Sequence, residues 1–232
     1  GIGGVSFVLC NTDAQALRNS PVPVKVQLGA KGEGAGNIPE VAKKLAEESA
    51  AEVEALFDDN TRMAFITAGM GGGTGTGAAP VVARIAKEKG VLTVGIVTIP
   101  FLFEGEPKIL QAFAGVEEMR KHVDALLVIN NERLCKIYPD LSWTTAFAKA
   151  DDSLSNAARS IAELVSKDGK INLDFADVRT TLKDGGAAVI STGSGEGEHR
   201  MSRAIQNALT SPLLKESDIY GCLLYTSPSP RD

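Results

Sequence analysis

Three uninterrupted apolar runs constrain the fold of this chain more than any other feature. They are MAFITA at 63–68, VLTVGIVTI at 91–99 and DALLVI at 124–129. Helical patterns at 75–89 and 108–121 separate them. Strands that are apolar on both faces and alternate with helices of about 10 to 15 residues are typical of parallel sheets buried between layers of helices. The sequence therefore predicts an α/β fold, a parallel sheet with flanking helices.

Two long helical patterns lie outside these runs. The first covers 38–57 and has Asn37 as its N-cap. Its apolar stripe consists of Val41, Leu45, Val53 and Leu56. The second covers 143–167, and its core-facing seam extends about 35 Å at 1.5 Å per residue. This seam consists of Phe147, Ala150, Leu154, Ala157, Ile161 and Leu164. A helix of this length can connect two domains.

The same patterns divide the chain. Residues 1–169 contain the predicted sheet and include the central helix 143–167, whereas 170–221 begin a second, α+β domain. The last stretch, CLLYTSPSPRD at 222–232, has neither helix caps nor periodicity. We expect it to be a non-native tail.

Composition excludes several classes of function. The chain has 29 acidic and 24 basic residues, a net charge of −5 and no basic cluster, so we expect no nucleic-acid partner. The uncharged stretch 90–103 contains Thr, Gly and Pro and is shorter than the roughly 20 apolar residues of a spanning helix, so we expect no direct membrane insertion. The three cysteines and two histidines are too scattered for a disulfide framework or a metal site. We therefore assign no protein metal ligands.

The segment GMGGGTGTG at 69–77 follows a predicted strand and precedes a predicted helix. Glycine backbone can curl tightly enough for several N–H groups to converge on one anion at the positive end of the helix. Six glycines are more than a simple turn requires, since each costs about 0.5 to 1 kcal/mol of backbone entropy. The sequence therefore predicts a phosphate-binding loop.

Two common classes of phosphate binder fit this loop poorly. No G-x4-G-K-[ST] motif occurs in the chain, which excludes a P-loop protein. A Rossmann-type nicotinamide enzyme would use Gly73, Gly75 and Ala78, but it also needs an acid at the end of the next strand. Residues 91–99 contain no acid, and the first one after them is Glu104. The nicotinamide enzyme remains only as an alternative.

The string GGGTGTG before a helix is typical of the tubulin and FtsZ superfamily of GTPases. The chain resembles the FtsZ-type cell-division members of this family from residue 1 to about residue 221, through motifs that follow the family's order. These are CNTDAQAL (10–17), GAGNIPEVAKK (34–44), AGMGGGTGTGAAPVVA (68–83), PFLFEG (100–105), NLDFADVR (172–179) and SPLL (211–214). The resemblance implies a GTP-binding domain at 1–169 that lacks the family's first strand and first glycine loop. It also places a catalytic loop at the start of 170–221.

The resemblance implies which residues hold the sugar and the phosphates. The phosphates would lie on Gly71, Gly72, Gly73, Thr74, Gly75, Thr76 and Gly77. Asn11 and Asp13 would line the side of the γ-phosphate and of Mg²⁺, which binds mainly through the phosphates. Glu104 would accept a hydrogen bond from a ribose hydroxyl. Lys108 stands where the family commonly has Arg, so a phosphate contact there lacks the bidentate fork.

The resemblance also implies the residues that read the base and those that hydrolyse the nucleotide. Asn131, Phe147 and Asp151 would form the base site. Phe147 and Asp151 are four residues apart and share one face of the central helix, and many members of the family have Asn in place of Asp151. The catalytic loop would contribute Asn172, Asp174 and Asp177, which would act on the nucleotide of the next subunit.

The implied function is that of a GTP-binding and GTP-hydrolysing cytoskeletal protein of the cell-division ring. Its ligands would be GTP and GDP with Mg²⁺, and its first partner would be itself, in a head-to-tail filament. Membrane-anchoring division proteins would bind a C-terminal tail that is absent from this chain. We expect the protein in the cytoplasm at the division site. We also expect turnover to require assembly, so that the 232-residue chain alone is inactive.

A second class of function remains open at this point. A tubulin-like scaffold would bind nucleotide and polymerise but turn it over poorly. The paired acids Asp174 and Asp177 argue against such a scaffold. A comparison of guanine with adenine nucleotide binding separates both GTP-binding hypotheses from the nicotinamide enzyme.

Overall fold

The computed structural model describes residues 5–138, 142–166, 175–188 and 195–209. Its strands are β1 (Val8–Asn11), β2 (Val24–Gln27), β3 (Met63–Gly69), β4 (Leu92–Ile99), β5 (Ala125–Asn130) and β6 (Gly186–Ala188). The helices of the first half are α1 (Ala14–Asn19), α2 (Pro39–Glu48), α3 (Ala50–Glu54), α4 (Gly73–Glu88) and α5 (Glu106–Lys121). Those of the second half are α6 (Glu132–Ile137), α7 (Trp143–Ser166), α8 (Phe175–Leu182) and α9 (Arg200–Leu209).

The principal sheet is parallel and has the strand order β3-β4-β5-β6. β1 and β2 form a separate parallel pair. In the central strand β4, every residue except Thr98 is buried. One face of β4 packs against α5, where Val97 and Ile99 meet Ala112 and Met119. The other face packs against α7, where Val94 and Ile96 meet Ala157 and Ile161. The predicted α/β fold with a parallel sheet and flanking helices is confirmed.

The core-facing seam predicted for the long helix α7 is buried in its middle part. Ala150, Ala157 and Ile161 are buried, but Phe147 is 42% exposed and lies outside the core. The side chain of Leu164 is outside the described residues. Among the described residues, no helix combines the length and the hydropathy needed to cross a membrane.

The prediction of one continuous helix over 38–57 is wrong. Two helices, α2 and α3, replace it and meet at Ser49. The Ser49 hydroxyl accepts a buried hydrogen bond from the Gly29 N–H at 2.8 Å. The i→i−4 hydrogen bonds continue across Ser49, but its φ of −101° and ψ of 22° depart from helical values and divide α2 from α3.

The predicted cap of this helix is wrong as well, and the predicted stripe is only partly buried, since Val53 is 0% exposed whereas Leu45 and Leu56 are half-buried. Ile38 occupies the cap position without a side-chain hydrogen bond, and Asn37 has a left-handed backbone with φ 63°. The buried face carries Ala42 and Ala46, whereas Val41 is 40% exposed. Alanines replace the larger side chains because α2 lies very close to α4.

Glycine is what allows α4 to lie so close to its neighbours. A Cβ at Gly77 would collide with the carbonyl oxygen of Pro39 in α2, and a Cβ at Gly75 would collide with that of Gly69 at the end of β3. Both collisions involve backbone atoms, which cannot swing aside. Backbone contact on two sides therefore fixes the position of α4.

The segment after the predicted boundary near residue 170 also belongs to this assembly. β6 pairs with β5, with Gly186 opposite Ala125, and Val178 of α8 is 1% exposed. The boundary itself and the tail 222–232 lie outside the described residues. The division of the chain into two domains stays a prediction.

Adding one methyl group at Gly77 should destabilise the fold. We expect Gly77→Ala to lower the free energy of unfolding of the 232-residue chain by about 1 to 3 kcal/mol or more, because overpacking a rigid contact forces the backbone to shift. Circular dichroism during urea unfolding measures the change.

Gly72→Ala is the matched control. The new Cβ would meet only the Asn37 Oδ1 at 3.7 Å, and Gly72 has an ordinary φ of −100°. We expect a change within about 0.5 kcal/mol. Equal stability of the two variants would contradict the assigned contact between α2 and α4.

Candidate functional site

The predicted phosphate loop lies at the carboxyl end of β3 and leads into α4. Gly71 makes the turn, with φ +98°, and a Cβ there would approach the Pro100 Cγ to 2.6 Å. The Gly71 N–H donates to the buried Thr76 Oγ1 at 2.9 Å. The Gly71 amide is therefore engaged within the loop, and only the amides after it are left for an anion.

The first turn of α4 provides these amides. Gly72 is the N-cap, and no side chain caps the helix. An α-helix leaves its first N–H groups without intrahelical partners, here those of Gly73, Thr74 and Gly75. These groups and the positive end of a 16-residue helix form a site that favours an anion.

The loop after β1 contacts the phosphate loop directly. The Thr12 and Thr74 hydroxyls are 2.7 Å apart, and Thr12 is 1% exposed. The Asn11 Oδ1 accepts a hydrogen bond from the Asp13 N–H, and the Asp13 carboxylate caps α1. The structure thus places the loop that carries Asn11 and Asp13 against the phosphate loop, through Thr12. Sequence reasoning missed Thr12, although it lies between these two residues.

Sequence reasoning also missed a second glycine-rich loop at 29–37. Five of its residues have positive φ, namely Gly29, Gly32, Gly34, Gly36 and Asn37. The Gly34 N–H donates to the Thr12 carbonyl at 3.0 Å, and the Asn37 Oδ1 lies near the position of a Gly72 Cβ. The signal was present in the string GAKGEGAGN, which follows a strand and precedes a helix, as 69–77 does.

Gln111 on α5 joins the two glycine-rich loops. Its Nε2 donates to the Gly71 carbonyl at 3.1 Å and to the Asn37 carbonyl at 3.3 Å. Nothing in the sequence marks this residue, because the loops it joins are about 40 and 74 positions away. Its amide holds the two loops side by side.

Glu104 and Lys108 lie on the neighbouring segment and contact each other. The Lys108 Nζ is 3.4 Å from the Glu104 Oε2, and the Glu104 Oε1 accepts a hydrogen bond from the Phe101 N–H at 3.0 Å. The Lys108 carbonyl oxygen would be 2.9 Å from a Cβ at Gly71. The structure therefore brings this pair to the rim of the phosphate loop.

The predicted base site contains a buried amide and a cluster of aromatic rings, of which Phe103 and Phe147 are exposed and Phe101 is buried. The Phe147 ring meets the rings of Phe101 and Phe103 edge-on, with centroids 5.4 and 6.1 Å away. Asn131 is 6% exposed, and its Oδ1 has no hydrogen-bond partner among the described residues. Asp151 is exposed one turn after Phe147. A buried unpaired amide oxygen is costly, so a ligand that donates a hydrogen bond would be stabilised there.

Asp177 lies at the opposite edge of the sheet. It is exposed in the first turn of α8, and α8 contacts residues that precede the strands. The Arg179 Nη2 donates to the Gly90 carbonyl at 3.4 Å, two residues before β4. Asn172 and Asp174 lie outside the described residues. Because β4 has eight residues, about 26 Å of strand separates the two edges.

Neither a metal site nor a reactive cysteine is found in the part of the chain that the structure describes. No group of three or more His, Cys, Asp or Glu residues there could hold a metal ion. Burial raises the pKa of the Cys10 thiol to about 11, and burial and the nearby Glu132 raise that of Cys135. Both thiols therefore stay protonated at neutral pH and are poor nucleophiles.

The chain matches a known protein family and known structures. The sequence profile of the Tubulin/FtsZ family, GTPase domain, matches residues 3–139. A cell division protein FtsZ of Porphyromonas gingivalis is 66% identical over 220 residues, which are 93% of this chain and 48% of that protein. Cell division protein FtsZ 1 of Methanocaldococcus jannaschii is 46% identical over 95% of this chain and 61% of its own length.

Solved structures agree in fold. An empty FtsZ dimer of M. jannaschii superposes with a TM-score of 0.87 at 46% identity, over 92% of this chain and 63% of that one. A GTPγS-bound protofilament of CetZ2 from Haloferax volcanii superposes with a TM-score of 0.69 at 26% identity, over 82% of this chain and 57% of that one. The chain thus spans about half to two thirds of the length of these relatives. None of these matches supports the alternative of a Rossmann-type nicotinamide enzyme. The glycine-rich loops, the sheet that carries them and these likenesses together establish that the chain belongs to the Tubulin/FtsZ family of GTPases.

Proposed function

We propose that this chain is part of a GTPase that assembles head to tail and hydrolyses GTP at the junction between copies. One observation carries the proposal: the phosphate loop and Asp177 lie at opposite edges of the same sheet. A single chain cannot bring groups about 26 Å apart to one phosphate. A head-to-tail contact can, because it places one edge of a copy on the opposite edge of the next.

In this proposal the phosphates bind at the start of α4. The amides of Gly73, Thr74 and Gly75 donate to phosphate oxygens, and Thr12 holds Thr74 in place through its hydroxyl. Asn11 and Asp13 would line the γ-phosphate side, where Mg²⁺ would be held mainly by the phosphates. The ion would neutralise charge on the β- and γ-phosphoryl oxygens.

Guanine recognition falls to the base site. The face of Phe147 would stack on the purine, and the Asp151 carboxylate would accept hydrogen bonds from N1–H and the exocyclic amine of guanine. The unpaired Asn131 Oδ1 supports a ligand that donates hydrogen bonds at this place. Glu104, already paired with Lys108, would accept a further bond from a ribose hydroxyl.

The acids of the α8 edge would act on the nucleotide of the neighbouring copy. Asp177, with Asp174 and Asn172 before it, would orient and polarise the attacking water. The amides at the start of α4 would stabilise charge on the γ-phosphoryl oxygens. Turnover then depends on assembly, and one chain alone is inactive.

The cellular role follows from the family. The related proteins are named as cell division proteins, and one solved relative is a protofilament. The proposed setting is the division ring in the cytoplasm, with membrane-anchoring division proteins as further partners and no nucleic acid.

Turnover per subunit should rise with protein concentration. The test uses a completed protein, in which residues 1–221 are joined to the remaining segments of the P. gingivalis relative. We expect phosphate release per subunit to increase steeply above an assembly threshold, because only a junction contains both halves of the site. We expect Asp177→Asn to abolish turnover while a fluorescent GTP analogue still binds.

The matched control is Asp184→Asn, at the other end of α8. Asp184 pairs with Lys87, and asparagine tolerates its positive φ of 54°. This variant should retain turnover. Constant turnover per subunit on dilution far below the threshold would show that one chain contains the whole site.

Asp151→Ala in the completed protein should weaken GTP binding and lower the ratio of GTP to ATP affinity. Adenine has an unprotonated N1 that would face the carboxylate with like polarity. A site built to hydrogen-bond a group can reject analogues that lack it by up to about 10⁴-fold. Competition titrations with GTP and ATP measure the ratio.

Asp152→Ala controls for loss of charge, since Asp152 is equally exposed but points from another side of α7. The ratio of GTP to ATP affinity of this variant should equal that of the unaltered protein. If Asp151→Ala leaves the ratio of GTP to ATP affinity as it was, base recognition rests on Asn131 instead.

A further inference from the structure

The first residue of α8 carries an aromatic ring that is covered by a cation. The Arg62 Cζ lies 4.6 Å from the centroid of the Phe175 ring. Arg62 directly precedes β3, and its carbonyl accepts a hydrogen bond from the Leu92 N–H of β4 at 3.1 Å. The backbone that carries the guanidinium is therefore fixed to the amino end of the principal sheet.

The rest of α8 is held by different contacts. Val178 is buried, and Arg179 bonds to the carbonyl of Gly90. Just after the helix, the Asp184 carboxylate is 3.3 Å from the Lys87 Nζ. Val178 and Arg179 fix the middle of the element, whereas the Asp184–Lys87 pair is exposed and contributes little. The stacking of Arg62 acts at its first turn, where helices otherwise fray.

The first turn is also where the proposed chemistry takes place. Phe175 lies between Asp174 and Asp177 in the sequence, and Asp177 is two residues into the helix. A small displacement of this turn moves the acids relative to the neighbouring copy's nucleotide. Misplacement of a catalytic group by about 1 Å can cost about 100-fold in rate.

We infer that Arg62 is a positioning residue for hydrolysis: its guanidinium, stacked on Phe175, holds the start of α8 so that Asp177 meets the nucleotide of the next copy. The inference rests on the proposed function. Arg62 acts through Phe175 and does not itself touch the phosphates. Its removal therefore changes the rate of the chemical step and leaves nucleotide binding and assembly as they were.

The surrounding cleft supplies a matched control. Arg62 lines a cleft of about 320 Å³ together with Lys89 and Arg179, among others. The Lys89 ammonium lies in the same cleft but pairs with Glu54 at 3.0 Å and not with the ring. Lys89→Ala removes the same charge from the same cleft without touching Phe175.

The experiment compares Arg62→Ala, Arg62→Lys, Phe175→Leu and Lys89→Ala in the completed protein. It measures kcat and KM for GTP above the assembly threshold, and the threshold itself by sedimentation with a slowly hydrolysed GTP analogue. We expect Arg62→Ala and Phe175→Leu to lower kcat about fivefold or more, with KM and threshold unchanged. Arg62→Lys should recover part of the rate, because an ammonium also binds the ring face.

The double variant Arg62→Ala/Phe175→Leu adds a coupling test. Residues that act as one unit are non-additive, so the double variant should lose no more rate than the worse single variant. Lys89→Ala should keep the unaltered protein's kcat.

Three results would overturn the inference. The first is a kcat for Arg62→Ala within about twofold of that for Lys89→Ala. The second is a loss of assembly in proportion to the loss of rate, which would make Arg62 a structural residue only. The third is turnover of the unaltered protein that does not depend on concentration. That result refutes the proposed function as well, whereas the first two leave it standing.

Discussion

The backbone contact of α4 with its two neighbours is the constraint on which the rest of the structure depends. At Gly75 and Gly77 the helix touches the end of β3 and the start of α2 so closely that a methyl group has no room. This contact sets the direction in which the first amides of α4 point. It also brings the loop before α2 against the phosphate loop, where Gln111 and Thr12 complete the arrangement. The glycines therefore serve packing and anion binding together.

A consequence of the parallel sheet is that its two edges have different chemistry. The loops after β1, β2, β3 and β4 meet at the carboxyl edge and carry the residues proposed for nucleotide binding. The amino edge carries Arg62, Gly90 and the helix α8 with Asp177. In the proposed mechanism, the groups needed for hydrolysis are divided between these two edges. The distance along the strands, more than any single residue, is what makes assembly part of the proposed catalysis.

The sequence was sufficient for those features that leave a local pattern. Strands β3, β4 and β5 are apolar on both faces, and the glycine-rich loop at 69–77 is too costly for a simple turn, so both could be predicted. The helix over 38–57 was predicted only in part. Val53 faces the core as expected, but close packing against α4 selects Ala42 and Ala46 in place of Val41, and the backbone angles of Ser49 divide the helix.

Contacts between distant segments could not be predicted from local patterns. Thr12, Gln111 and Arg62 are ordinary in their own sequence neighbourhoods and gain a role only from residues 40 to 113 positions away. Phe147 shows the same limit, since its spacing fits the seam of α7 but the fold leaves its ring exposed beside Phe101. The roles of Asn172 and Asp174 rest on resemblance alone.

Amide hydrogen exchange of the completed protein, with and without GDP, tests most directly whether α4 is a preformed phosphate site. The contacts of Gly75 and Gly77 hold the helix without ligand, so the amides within 77–86, apart from Pro80, which has none, should be protected in both states. The amides of Gly73, Thr74 and Gly75 have no intrahelical partner and should become protected only when GDP binds. Protection of 77–86 that appears only with GDP, or no change at Gly73 to Gly75, would contradict this account.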